Sequence, residues 1–156
     1  MIKREAWIFD VDGTLVNVDP ILDILLGQDR ASESFKKNYD AFHKESINCS
    51  PHKDVVDMVW EVCDTLDIII VTARKEKYRA LTSRWLKTHN VPHDALFMRK
   101  DDDYREDYEV KKDILENINE YWEVKHAVDD NPSIIKLWEE NGIATTKIGT
   151  WDGVKR

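Results

Sequence analysis

Three short apolar runs in this chain each stop at an oxygen-bearing side chain, and that arrangement constrains the fold most tightly. Ala6 to Phe9 ends at Asp10, Ile68 to Val71 ends at Thr72, and Val124 to Val128 ends at Asp129 and Asp130. Runs this short read as strands buried on both faces of a parallel sheet rather than as helices. Ala95 to Met98 and Ala144 to Ile148 are weaker candidates of the same kind.

Between them apolar residues recur at helical spacing: Val55, Val59, Val62 and Leu66; Tyr78, Leu81 and Trp85; Val110, Ile114, Ile118 and Trp122. A last helix is marked by Asn131 as N-cap, Pro132 at its first position and Asn141-Gly142 at its end. Strands alternating with helices predict right-handed crossovers and an α/β fold, a Rossmann-like doubly wound parallel sheet. Residues 17–50 break the alternation with two helical patterns, Ile21 to Leu26 and Phe35, Tyr39, Phe42. They read as a small helical, cap-like insertion after the first strand, within a single domain spanning 1–156.

At 156 residues one domain can bury about two thirds of its unfolded surface. No apolar run is long enough to span a bilayer and the N-terminus leads into a strand, so a cytoplasmic location without membrane contact is expected. Two cysteines, Cys49 and Cys63, without CxxC spacing exclude a disulfide framework and an all-cysteine zinc site. A net charge of -8 counts against general nucleic-acid coating, yet residues 72–112 carry 11 Lys or Arg against 8 Asp or Glu. An anionic substrate can be met by that middle third.

In open α/β sheets ligands bind beyond the carboxyl ends of the strands, so Asp10, Thr72, Asp129 and Asp130 should converge. Carboxylates crowded together repel unless a cation sits among them, and an oxygen-only set selects a hard ion such as Mg²⁺. With the ion present, Asp10 can stay ionised and attack phosphorus, while Asp12 can give and take the proton at the leaving oxygen. Gly13 permits a tight path for main-chain N–H groups facing a phosphate, with Thr14 beside it. The Thr72 hydroxyl and the forked donors of Arg74 are further phosphate contacts, and Lys111 or Lys112 supplies neutralising charge.

The run Asp10-Val11-Asp12-Gly13-Thr14, then Thr72, a lysine and the Asp129-Asp130 pair, in that order, resembles the haloacid dehalogenase superfamily of phosphatases. The likeness spans Trp7 to about Ile148. It implies Asp10 as nucleophile, Asp12 as acid/base and main-chain metal ligand, Thr72 and Lys111 as phosphate contacts, and Asp130 as direct metal ligand with Asp129 beside it. More narrowly, Arg74 after the threonine and the stretch Arg105, Asp107, Val110, Lys111 look like the 3′-phosphatase domains of bacteriophage polynucleotide kinase-phosphatases. That likeness implies Arg105 and Asp107 at the substrate, and a phosphorylated nucleic-acid end as substrate. This sequence departs from that pattern in showing no kinase domain and in a longer insertion after Asp12; a separate kinase or ligase is an expected partner in end repair.

Two simpler readings compete at single residues: Asp10 and Asp12 as a capping and turn pair, and Arg74 as a solvated charge with Asp107 pairing to Arg74 or Arg105. Among whole-chain readings, a nucleotidase acting on free 5′- or 3′-nucleotides uses the same chemistry. A response-regulator receiver places its paired acids early and its accepting Asp mid-chain, the reverse of the order here. A non-catalytic binding module leaves the filled catalytic positions unexplained. Trp7, Trp60, Trp85, Trp122 and Trp138 are expected in the core, leaving Trp151 as the candidate for stacking on a base. His89 and His93 are separated by Pro92 and do not share a helical face. Asp101 to Asp103 read as an exposed loop.

Overall fold

The computed structural model describes residues 2–26 and 38–156. Five strands form one sheet: β1 (Arg4–Phe9), β2 (Asp67–Lys75), β3 (Ala95–Arg99), β4 (Trp122–Asp129) and β5 (Ala144–Lys147). All pairings are parallel, in the order β3-β2-β1-β4-β5. The described helices are α1 (Leu22–Leu26), α2 (Tyr39–Glu45), α3 (Lys53–Val62), α4 (Arg79–Thr88), α5 (Asp107–Asn119) and α6 (Pro132–Glu140). This is the doubly wound α/β architecture read from the sequence.

The apolar strands are continuous because both sheet faces are covered. Ile68 and Ile70 join Phe9, Val59 and Trp85 on one face. Ile69 and Val71 join Ile8, Ile114 and Trp138 on the other. The first helical pattern of the insertion lies on α1 and the preceding turn, and the second on α2; its Phe35 lies outside the described residues. At α6, the Asn131 side chain accepts from the Ser133 N–H at 3.0 Å, and Gly142, at φ +74°, follows the helix end. None of the described helices is long and apolar enough to cross a membrane.

Several local expectations are corrected. Trp122 does not extend α5; the chain turns at Glu120 and Tyr121, and Trp122 opens β4 with its indole donating to Asp67 at 2.8 Å. The first half of β4 is not buried on both faces: Glu123 and Lys125 are exposed and pair with each other at 2.8 Å, one face there being solvated. Leu66 lies beyond α3, which ends at Val62. Trp60 is 54% exposed and donates to the Asn90 carbonyl, so it belongs to the surface.

The strand order reverses direction at β1, which has β2 on one side and β4 on the other. A crevice opens at the carboxyl ends of strands on either side of such a switch point. Asp10 follows β1, while Asp129 closes β4 and Asp130 comes directly after it.

Candidate active site

The β1–β4 register sets the site. Phe9 lies opposite Val128, and the Asp10 N–H donates to the Val128 carbonyl at 3.1 Å, so both chains leave the sheet side by side. Carboxylate oxygens of Asp10, Asp129 and Asp130 fall within 4.8 Å of one another, all three residues buried. Lys111, on the second turn of α5, donates at 2.9 Å to both Asp10 Oδ1 and Asp129 Oδ2. Lys112 is exposed, so geometry separates the two lysines that the sequence left open. Asp10, Asp12, Thr72, Lys111, Asp129 and Asp130 all line one small polar pocket.

One lysine does not balance three carboxylates. Burial, and then the charge of Asp129, push the Asp10 carboxyl up to about 7 despite the lowering effect of Lys111. Burial, followed by Asp10 and Asp129, pushes Asp130 up as well, against the pull of Arg156, whose Nε lies 3.5 Å from Asp130 Oδ2. Burial alone would lower Lys111, but the two carboxylates outweigh it and hold the ammonium well above its usual range. Oxygen-only donors, short of positive charge and out of water, suit a hard divalent cation.

Asp12 is turned elsewhere. Arg74 grips it with two bonds, Nε at 2.9 Å and Nη2 at 2.6 Å, and also donates to Thr82 at 3.1 Å and Ser46 at 2.9 Å. Burial disfavours the Asp12 charge, yet this fork, helped by His43 at 3.6 Å, holds the carboxyl well below the usual range. Arg74 is therefore neither a solvated charge nor a lining residue of the pocket: it is 2% exposed, and these bonds direct its guanidinium into the protein.

Gly13 and Thr14 also differ from expectation. Their N–H groups close the turn, onto the Val16 carbonyl at 2.9 Å and the Val11 carbonyl at 3.2 Å, rather than facing a phosphate. Gly13, at φ +82°, is required by close approach, since a Cβ there would lie 2.1 Å from Asp130 Oδ2. The Thr14 hydroxyl sits 3.3 Å from both Asp10 and Asp130 and ties those carboxylates together. Asp107 lines the pocket but pairs with Arg99 at 2.6 Å, not with Arg74 or Arg105. Arg105 pairs with Asp103 and Asp113 and lines a neighbouring cleft instead.

Sequence reasoning missed His43, Ser46, Thr82, Arg99 and Arg156. Thr82 carried a signal, a polar residue between Tyr78 and Trp85 on the apolar stripe of α4. Arg99 carried another, because it closes β3 as Thr72 follows the apolar run of β2. His43 and Ser46 had none: they come from α2 and the turn after it, a long way in sequence from Asp12. Trp151 lines the pocket, with the Arg156 guanidinium 5.1 Å from its ring centre.

Comparison with known proteins adds two findings. A family model described as the polynucleotide kinase PNKP phosphatase domain matches residues 4–152. Among solved structures, a chain of the Pnkp1/Rnl/Hen1 complex superposes with a TM-score of 0.79 at 24% identity, covering 96% of this chain and 47% of that one. The haloacid dehalogenase-like family protein SP0104 from Streptococcus pneumoniae gives 0.63 at 16% identity, covering 92% and 84%. The HAD-hydrolase YfnB from Bacillus subtilis, solved bound to magnesium, gives 0.59 at 13%, covering 92% and 86%. At such identities the likeness is one of fold, and this chain spans less than half the length of the chain from the Pnkp1/Rnl/Hen1 complex.

Proposed function

This chain belongs to the family of the polynucleotide kinase PNKP phosphatase domain, and on that premise we propose that it is a magnesium-dependent 3′-phosphatase of polynucleotide ends, working through an aspartyl-phosphate on Asp10. The observation that carries the proposal is the charge imbalance at the β1–β4 crevice, three buried carboxylates against the Lys111 ammonium and the Arg156 guanidinium, in a pocket also lined by Thr72.

Asp10 and Asp130 would hold the ion directly and Asp129 would stand beside it. Because the Asp12 carboxylate faces Arg74, any metal contact from Asp12 falls to its main-chain carbonyl. When bound, Mg²⁺ neutralises charge on the phosphoryl oxygens. Asp10 then forms the new bond to phosphorus as the ester P–O bond breaks, and the leaving oxygen takes a proton from Asp12. Water next displaces the phosphate, giving its proton to Asp12 and restoring the Asp10 carboxylate. Arg74 favours the ionised, basic form of Asp12, suited to the second step. An anionic phosphate nearby works against that pair and raises the share of the acid form needed for the first.

The metal role has a pH consequence. In the metal-free protein Asp10 and Asp130 titrate above their unfolded values, so the folded state holds more protons than the unfolded chain across that window. Stability then falls as pH rises through it. Asp12, shifted the other way, contributes stability that is lost only toward acid and stays constant here, while His43 and His126, both lowered by burial, oppose the trend only below about pH 7. In EDTA the melting temperature should drop by roughly 3 °C or more between about pH 7 and pH 8.5, and Mg²⁺ should raise it more at the higher pH. A flat profile, or equal stabilisation by Mg²⁺ at both values, would contradict the role given to the carboxylate cluster.

We propose that residues 1–156 contribute to one phosphatase domain in which residues 17–50 are a small cap-like insertion, with a separate kinase or ligase as partner in repair. Support for a polymer end comes from the cleft of about 830 Å³ beside the pocket, more room than a mononucleotide fills. One structural neighbour is a chain of the Pnkp1/Rnl/Hen1 RNA repair complex. The substrate test measures phosphate release from a 3′-phosphorylated oligonucleotide, its 5′-phosphorylated counterpart and free mononucleotides. The first should be preferred by roughly tenfold or more in kcat/KM; equal or better turnover of mononucleotides would favour a nucleotidase.

A further inference from the structure

The cleft next to the catalytic pocket shares Ala73, Asp107 and Arg156 with it, so the two form one continuous surface. Its lining carries six Lys or Arg against four Asp or Glu, in a chain whose net charge is -8. A local positive lining within an acidic molecule is what an extended anion requires.

Tyr104, on this lining, is 82% exposed and contributes little to the core. The loop that presents it is nonetheless tightly held. The Asp103 N–H donates to the Lys100 carbonyl, Arg99 donates to the carbonyls of Asp103 and Arg105, and the Lys77 N–H donates to the Asp101 carboxylate. A fixed loop therefore holds an aromatic ring out over a basic cleft. The Lys75 ammonium stands over one face of that exposed ring, 4.2 Å from its centre, where it can meet a phosphate while the other face meets a base.

We propose that Tyr104, with Lys75, forms a nucleobase-stacking subsite that binds the strand leading to the phosphorylated end, and so sets preference for a polynucleotide over a single nucleotide. This rests on the phosphatase reading of the adjacent pocket. A π-face accepts any base, so the subsite holds single-stranded nucleic acid without reading its sequence. Lys77, paired with Asp40, and Arg105, paired with Asp103 and Asp113, line the same cleft.

The test compares wild type, Tyr104→Ala, Tyr104→Phe and Lys75→Ala on a 3′-phosphorylated single-stranded oligonucleotide and on a small aryl phosphate. Tyr104→Ala should raise KM for the oligonucleotide and lower the oligonucleotide-to-aryl ratio of kcat/KM about tenfold, with kcat for the oligonucleotide little changed. Tyr104→Phe should keep the wild-type ratio, because stacking needs the ring and not the hydroxyl. Lys75→Ala should make oligonucleotide turnover less sensitive to salt. An oligonucleotide KM unmoved by Tyr104→Ala would overturn the subsite, as would a wild-type enzyme that hydrolyses the aryl phosphate but not the oligonucleotide. Failure of the wild type on both substrates in Mg²⁺ would instead remove the phosphatase reading beneath it.

Discussion

Replacing Asp10 with Asn is expected to cut turnover by at least about 10⁴-fold while leaving the fold intact. An amide oxygen is a poor nucleophile toward phosphorus and cannot carry the phosphoryl group between the two half-reactions. The fold should survive, because burial and the neighbouring carboxylates already disfavour the charge on Asp10. Lys111 also keeps Asp129 at 2.9 Å. The metal-free variant should melt no lower than wild type near about pH 8, where the wild-type carboxylate is forced toward its charged form. Phosphate release and thermal melting on the same preparation separate loss of chemistry from loss of structure. Retained turnover in a folded Asp10→Asn protein would remove the nucleophile from the account.

Arg74→Ala should produce the other large effect, this time on stability as well as rate. The Arg74–Asp12 pair is almost fully buried, with side chains 1% and 7% exposed. Removing the guanidinium leaves Asp12 charged and unpartnered beside His43, and leaves Thr82 and Ser46 without their donor. Breaking one side of a buried ion pair costs about 3–5 kcal/mol. Arg74→Lys should recover only part of this, since a single ammonium cannot reproduce the two bonds to one carboxylate. Chemical denaturation and steady-state kinetics on both variants check the expectation. A destabilisation below about 1 kcal/mol for Arg74→Ala would mean that solvent reaches Asp12 and that the network is not the clamp described here.

The carboxylate cluster was legible in the sequence because its residues sit at a topologically fixed place. Once Ala6 to Phe9 and Val124 to Val128 are read as parallel strands, the residues at their carboxyl ends have nowhere to go but the same crevice. Lys111 was half legible: only the rotation of α5 decides which of two adjacent lysines faces Asp10. The Asp12 clamp was not legible, since its parts lie on β2, α4 and the turn after α2, and nothing local in the sequence couples them. Asp107 illustrates the same limit. Its charge marked it for pairing, but its partner Arg99 stands at the end of β3, the least distinct of the strands nearest the site. Gly13 and Thr14 were singled out for phosphate-facing main-chain N–H groups, and the reason for their place needed coordinates. Their place is set by contact with Asp130 rather than by N–H groups aimed outward.

The helical periodicity failed where chain direction changed without a local marker. Ile118 and Trp122 keep helical spacing across a turn that carries neither glycine nor proline, so Trp122 read as the end of a helix when it begins a strand. Trp60 shows a different failure. Its place on an apolar helical face argued for the core, while one hydrogen bond to Asn90 holds the ring at the surface.

The covalent step on Asp10 can be observed in a single quenched turnover. The enzyme is mixed with a substrate carrying labelled phosphate in Mg²⁺, quenched in acid within a turnover, digested, and the label located by mass spectrometry. A phosphoryl group is expected on the peptide that contains Asp10, lost on treatment with hydroxylamine and absent from Asp10→Asn. Turnover with no label on any peptide, or label on another residue, would contradict it.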